Sequence, residues 1–494
     1  MIIDKGIALP FSSNVSYLMK VLKLNYIIMT FAMISITSTT YGQEVIFEEA
    51  AERKNGTELF AVVNPTNQET SLFFKTNRKI KGFHLDKNFR VLTSLDGELS
   101  SEIDFPQQIG HTYSHGVLSL FFASSYYHTF EVLSYDYESK KVTNQIIELP
   151  LKNEQFAGSV SHNGKLYLFS AMKSSSTLKM YIFDNNKNYE TRTYKFTDED
   201  FGPDSQRFSS VLRKDQLTFI ASNIPGSLSI ASRKNKIYCY NNSIVITFDN
   251  QVSRTTMMTV DLTTLEADFT VYPQDATKCN ELYSRSNSYI YNGFLYQVVY
   301  CAEKMVFKIS NLEAGEKVKE FSVTENDEIE FKNGEIVQLD GGAIYSDGER
   351  EFSKTKQFLR KVIQKNGIVS AYQVPSGIIV TLGGVIEKSF ASAAGPSGPG
   401  FPPPVNFGPS GTFTKSITFK SLLNASTFEH EKDGQISENN LERIEKYKNE
   451  LGDEAKTLSG AILNEVIFGY GNSCIYGYYH RKNDRYILVR FDQP

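Results

Sequence analysis

Glu429, Glu431 and Asp433 alternate along the stretch EHEKDGQISENN (residues 429–440), with Gly434 directly after the third. Carboxylates at every second position, followed by a glycine turn, are how a loop presents oxygen ligands to a hard cation such as Ca2+. The seven histidines, His84, His111, His115, His128, His162, His430 and His480, form no H-E-x-x-H motif of the kind that holds zinc on a helix. His111 and His115 are four apart. On a strand they would share a face about 13 Å apart, too far to share a metal. His115 and His162 fall at turns, where solvated side chains are expected. Cys239, Cys279, Cys301 and Cys474 lack the close pairs of a zinc site. Four cysteines permit three disulfide pairings that spacing does not decide between; Cys279 with Cys301 is the preferred one, the rest reading as small apolar core residues. There is no nucleophile elbow and no phosphate-binding loop. No catalytic and no cofactor-binding residue is therefore assigned.

The acidic stretch resembles a degenerate EF-hand loop, with Glu429, Glu431 and Asp433 at positions one, three and five and Gly434 at six. Position one would ordinarily be Asp and position twelve a bidentate Glu; here they are Glu429 and Asn440. Without that last carboxylate any calcium affinity should be poor. The same residues read equally as a turn leading to a helix N-cap at Ser437, with acids placed near the positive helix end. A basic cluster, RKNK at 233–236, would meet an anionic surface or simply solvent.

Such residues need a scaffold, and the chain is long enough to build a large one. It has 494 residues, 40% hydrophobic and 22% charged, with a formal charge of −4. That charge provides no global basic field to draw in nucleic acid. Tyr 28 and Phe 35 are abundant and Trp is absent; flat aromatic side chains favour strands.

The first 42 residues read as a leader followed by a signal peptide starting at Met19. Lys20 and Lys23 precede an apolar run of about 13 residues, Leu24 to Ile36, and then small and polar residues ending in Thr40-Tyr41-Gly42. That run is shorter than the roughly 20 residues needed to span a bilayer. The expected product is exported, to the periplasm or beyond the cell, with no membrane span after cleavage. A monomer is expected.

One pattern recurs through residues 43–494: a tight-turn dipeptide followed by an apolar strand. Asn55-Gly56 precedes TELFAVV, His115-Gly116 precedes VLSLFF, and Asn163-Gly164 precedes KLYLF. Asn242-Ser243, Asn292-Gly293, Ser376-Gly377 and Asn472-Ser473 repeat it. Asn-Gly is a strong hairpin signal because both turn residues take positive φ. One unit reads in full as four strands: FAGSVSH (156–162), KLYLFSA, LKMYIFD (178–184) and YETRTYKF (189–196). Two of the steps between signals are about 50 residues, a repeat length typical of four-stranded propeller blades.

This grammar resembles the β-propeller superfamily in general, without the Trp-Asp or double-glycine marks of a named subfamily. The export signal and composition resemble exported proteins of Bacteroidetes-type bacteria. The resemblance implies an all-β fold of seven blades, or six with one signal outside the count, forming a single domain over 43–494. EVIFEEA (44–50) is expected to supply the missing outer strand of the last blade. Insertions are expected at 198–236, 325–366, 393–411 (a Gly/Pro-rich loop) and 430–458. The last includes a short amphipathic helix at 438–451, with Leu441, Ile444, Tyr447 or Lys448, and Leu451 on one face. With the short turns on one face, the insertions would decorate the other, and loops on a rigid scaffold carry function. The expected function is a binding module of the cell envelope that holds a partner protein or glycan on that decorated face. The alternative is a hydrolase or lyase with its site at the mouth of the central channel.

Overall fold

The turn dipeptides fold as the sequence demands. Asn163 and Gly164 have φ of 49° and 75°, and Asn292 and Gly293 have 48° and 77°. His115 and Gly116 do the same at 51° and 78°. Two left-handed residues in succession make a type I′ turn, whose twist matches that of the strands it joins. The computed structural model describes residues 43–493, apart from single positions and short stretches. The longest undescribed stretches are 51–56, 198–210, 341–347, 391–410 and 455–461. The expected signal peptide, His128 and the Gly/Pro stretch up to residue 410 lie outside the described residues. By its contacts the chain divides into Met1–Gln43 and Glu44–Pro494, and the second unit carries the fold.

The strands form seven sheets among the described residues. The chain starts with β1 (Gln43–Ala50). Sheet I is β2 (Thr57–Val63), β3 (Thr70–Thr76), β4 (Lys79–Leu85) and β5 (Val91–Glu98). Sheet II is β6 (Gln107–Ser114), β7 (Val117–Ala123), β8 (Thr129–Asp136) and β9 (Lys141–Glu148). Sheet III is β10 (Glu154–His162), β11 (Lys165–Met172), β12 (Thr177–Phe183) and β13 (Tyr189–Lys195), the four strands legible in the sequence. Sheet IV adds a short β14 (Thr218–Ile220) before β15 (Asn235–Tyr240), β16 (Ser243–Gln251), β17 (Arg254–Asp261) and β18 (Ala267–Pro273). Sheet V is β19 (Arg285–Tyr291), β20 (Phe294–Tyr300), β21 (Lys304–Asn311) and β22 (Lys317–Thr324). Sheet VI contains β23 (Ile336–Asp340), β24 (Gly348–Phe352), β25 (Asn366–Val374), β26 (Gly377–Phe390) and β27 (Gly411–Leu423). Sheet VII is β28 (Ile462–Tyr470), β29 (Ser473–His480), β30 (Arg485–Phe491) and β1, in that spatial order. The N-terminal strand thus completes the last sheet, as expected.

Each sheet packs on the next, and tyrosine hydroxyls fasten several of the joints. Tyr135 of sheet II donates to the Ile80 carbonyl of sheet I at 3.1 Å. Tyr194 of III donates to Leu265 at 3.1 Å, and Tyr272 of IV to Leu312 at 3.2 Å. Tyr300 of V donates to the Ile368 carbonyl of VI at 2.8 Å and accepts from the Gly383 amide at 2.7 Å. Tyr470 of VII donates to Gln68 and Lys87 of I, closing the ring. A buried ring with a polar tip fills an interblade core and still reaches a backbone acceptor. Middle strands such as β7 and β11 are buried along nearly their whole length, whereas the outer strand β5 alternates between exposed and half-buried residues. That is the burial expected for sheets sandwiched face to face with one free edge.

The turns between third and fourth strands share a device. The Asp136 carboxylate accepts from the Glu138 and Ser139 amides, and Asp261 accepts from Thr263 and Thr264. Asp86 and Asn311 do the same in sheets I and V, and Asn424 does so in the turn that follows the third strand of sheet VI. Side chains that mimic a backbone turn favour Asp and Asn at these positions.

Three expectations are corrected. TELFAVV, after Asn55-Gly56, is β2, the inner strand of sheet I, not its second; the true hairpin turn of that sheet runs through Asn64 to Glu69. The insertion at 325–366 is not a loop on a face. It supplies β23, which pairs with β27 as the fourth strand of sheet VI, and β24 beyond it. It also holds α2 (Thr355–Val362), whose Phe358, Leu359 and Val362 are fully buried. Of the insertion at 198–236, finally, the segment 217–231 runs through the centre of the ring and not over a rim.

Candidate functional site

After sheet III the chain crosses the centre of the ring before starting sheet IV. The Leu217 amide donates to the Ala157 carbonyl on β10 at 2.7 Å. β14 then pairs in parallel with β15. Asn223 lies so close to Gly469 on β28 that a Cβ there would stand 2.1 Å from its Nδ2. Gly226 abuts the Tyr289 hydroxyl on β19. The short helix α1 (Leu228–Ala231), capped by the Ser227 side chain, packs on β25 and β26. One segment, 217–231, therefore touches the inner strands of sheets III, IV, V, VI and VII. Only a segment on the ring axis can do so. This segment lies in the channel instead of decorating a rim.

The plug is latched on the side where the inner strands begin. Glu387, near the end of the long β26, accepts from the Ser229 hydroxyl and stands 3.7 Å from the Arg233 guanidinium. The two strands β26 and β27 stay paired out to Phe390 and Gly411, beyond the reach of their neighbours β25 and β23. The same side carries the Cys279–Cys301 disulfide, with Cα atoms 5.6 Å apart, as preferred from the sequence. Cys239 and Cys474 remain thiols, which burial pushes up to about 12 and about 11.

Beneath the plug lies a fully enclosed polar network that sequence reading missed. Of the RKNK cluster only Arg233 is exposed; Lys236 is 0% exposed. Its ammonium donates to Asn287 Oδ1 at 2.6 Å and lies 3.5 Å from Asp249 Oδ2. Asp249, also 0% exposed, accepts from the Thr255 hydroxyl at 2.6 Å and from the Ser288 amide and hydroxyl at 2.9 and 2.8 Å. Asn287 donates onward to the Gly367 carbonyl at 2.7 Å. Lys234 donates to the Asp249 and Ser286 carbonyls at 3.1 Å. The network thus ties the inner ends of sheets IV, V and VI. Charges so enclosed act on the fold, since no substrate atom can reach them. His111, on the inner strand β6, is held down to about 4 by burial and is neutral at ordinary pH.

The acidic loop lies elsewhere, between sheet VI and α3 (Asn440–Glu454). Glu429 accepts from Lys319 at 2.5 Å and Glu431 from Asn424 at 3.0 Å, so their carboxylates point to separate partners. Asp433 borders an open cavity with Lys332, Lys432 and Gln435. The loop's carbonyls converge on Asn333: its Nδ2 donates to Glu431 at 2.8 Å, Gly434 at 3.1 Å and Lys432 at 3.5 Å. Asn333 Oδ1 accepts from the Leu422 amide and lies 2.9 Å from His430 Nε2. Among the described residues no three His, Cys, Asp or Glu side chains group as metal ligands. Asn333→Ala should cost about 2–3 kcal/mol by orphaning these groups, measurable by urea unfolding.

α3 comes directly after the loop. Its cap is Asn439, not Ser437: Asn439 Oδ1 accepts from the Glu442 amide, and Glu442 accepts from the Asn439 amide, each at 3.1 Å. This is a capping box. Leu441, Ile444, Tyr447 and Leu451 pack on sheet VII as expected, and Glu442 pairs with Lys420 of sheet VI. No helix among the described residues is long and apolar enough to cross a membrane.

The sequence matches no protein-family model and no curated protein. In backbone shape it is similar to the Dos1 propeller, at 9% identity over 92% of this chain and 96% of that one, with a TM-score of 0.36. It is also similar to the WD40 domain of SCAP from fission yeast, at 9% identity over 90% and 98%, TM-score 0.32. A third likeness is to the periplasmic gluconolactonase PpgL of Pseudomonas aeruginosa, at 11% identity over 52% and 68%, TM-score 0.29. Seven sheets, mostly four-stranded and antiparallel, with the last completed by the first strand of the chain, give the described residues the fold of a β-propeller.

Proposed function

We propose that the protein is an exported binding module of the cell envelope and holds a partner protein or glycan on the face where the inner strands begin. The observation that carries this is the plug. Residues 217–231 touch the inner strands of five sheets and so occupy space that a substrate in the channel would need, which weighs against the hydrolase or lyase reading. The buried Lys236–Asp249 pair is sealed from solvent. The same face offers apolar side chains to a partner: Phe219 and Ile230 on the plug are 42% and 38% exposed, and Tyr283 beside the disulfide is 66% exposed. Exposed apolar groups on a rigid face are a mark of interaction surfaces. The disulfide supports export, because such bonds persist in oxidising compartments.

The test is capture from envelope extract on immobilised full-length protein, a version lacking residues 393–411, and Tyr283→Ala. A partner retained by the first and lost from either variant supports the reading. Identical capture by all three, or turnover of an extract component by the purified protein, overturns it.

A further inference from the structure

The opposite face, where the short turns lie, has a groove of about 340 Å³ lined by residues of sheet II, on the side of that sheet that faces sheet III. The side of sheet II that faces III is apolar over half its length, with Phe121, Phe130, Val132 and Ile147 in a shared core. Toward the turns it changes character. Thr112, Ser119, Ser134 and Thr143 line up across all four strands, in register. The Ser119 and Ser134 hydroxyls are 2.8 Å apart on the floor. His115, Asp136 and Lys141 stand at the rim, together with Ser114 and Ser139.

Other sheets show that a packing joint would not be built this way. Counted from the Asp or Asn of the outer turn, the third rung of sheet II is Ser119 opposite Ser134. In sheet III that rung is Tyr167 opposite Ile182, in V it is Tyr296 opposite Ile309, and in VI it is Ile379 opposite Leu422. Those side chains are buried; in III and V they fill the joint with the next sheet, and in VI they pack in a small core with Ile436. Sheet I has Ser71 opposite His84, but the Tyr137 ring of sheet II stacks on His84 at 4.2 Å and occupies the space. Sheet II alone of these five combines a hydroxyl floor with an open groove.

We propose that this groove binds a neutral polyhydroxyl ligand, a mono- or disaccharide. The volume lies within the usual range of small-molecule sites, roughly 300–1,000 Å³. Serine and threonine hydroxyls both donate and accept, which matches sugar hydroxyls. Asp136 supplies an ionised acceptor and Lys141, its cross-strand partner, a donor. Their balanced charge gives an anion no net attraction. The site is independent of the partner face across the ring.

The full-length protein is titrated with glucose, galactose, N-acetylglucosamine and maltose, and with inorganic phosphate as the anionic arm, by calorimetry and ligand-observed NMR. At least one sugar should bind saturably and phosphate should not. Thr143→Val, at the exposed edge, should weaken binding at least threefold. Ser119→Val with Ser134→Val should abolish binding while leaving the melting temperature unchanged or higher, since it restores the apolar rung of the other sheets. Removing residues 393–411 should leave sugar binding unchanged, which separates this site from the partner face. No saturable sugar binding at millimolar concentration, phosphate binding in preference to sugar, or binding that survives the folded double variant would overturn the proposal.

Discussion

Asp249→Ala should destabilise the protein by about 3–5 kcal/mol, because it leaves a buried ammonium without its counter-charge. Lys236 is fully buried, and Thr255 and Ser288 lose their common acceptor. Asp249→Asn keeps the shape and part of the hydrogen bonding but not the charge, and should fall between wild type and alanine. Lys236→Met combined with Asp249→Leu should recover most of the loss, since a buried ion pair replaced by apolar groups of similar volume is often neutral. Urea unfolding with a common m-value measures all three. A loss below about 1 kcal/mol for alanine would mean that water reaches the site, as for a surface pair.

Removing residues 43–50 should abolish the single cooperative unfolding transition and leave a chain that associates. β30 would become an open edge, and unpaired edges template further strand pairing. Phe47, now 7% exposed and 6.3 Å from the Phe83 ring, would be lost from the joint between sheets VII and I. So would the ion pairs of Arg485 with Glu48 and Arg490 with Glu44. Phe47→Ala tests the same joint more gently and should cost about 3 kcal/mol. Val45→Thr, at a position 56% exposed, should change little. Light scattering and calorimetry read the outcome; a truncated chain that melts like the intact one would show that the ring does not depend on its first strand.

The repeat was legible because tight turns carry their own chemistry. His115-Gly116, Asn163-Gly164, Asn242-Ser243, Asn292-Gly293, Ser376-Gly377 and Asn472-Ser473 all join first and second strands. Asn55-Gly56 misled because a turn signal does not say which strands it joins, and the corresponding turn of sheet I, NPTNQE, has no such dipeptide. β23 and β24, five residues each, carry no turn-then-strand signal; GEREF has the charged composition by which edge strands avoid aggregation. α2 did show Phe358, Leu359 and Val362 at helical spacing, in a stretch too short to stand out. The plug was not legible, since its contacts are with five inner strands far away in sequence. Lys236 and Asp249 look like surface charges flanking strands, and only the fold brings them together with Asn287 and Ser288.

Sheet VI has a consequence for how the molecule assembles. Sheets I, II, III and V can each form from a continuous run of chain as soon as it is available. Sheet VI cannot: β23 waits for β27, which lies some eighty residues later in the chain. Sheet VII waits longer still, for a strand from the opposite chain end. Distant pairings of this kind are slow to form. The two late closures are neighbours, so a nascent molecule passes through a broken arc with one gap. The same sector should be the first to loosen in native-state hydrogen exchange, with amides of β23 and β1 exchanging ahead of those in β7 and β11.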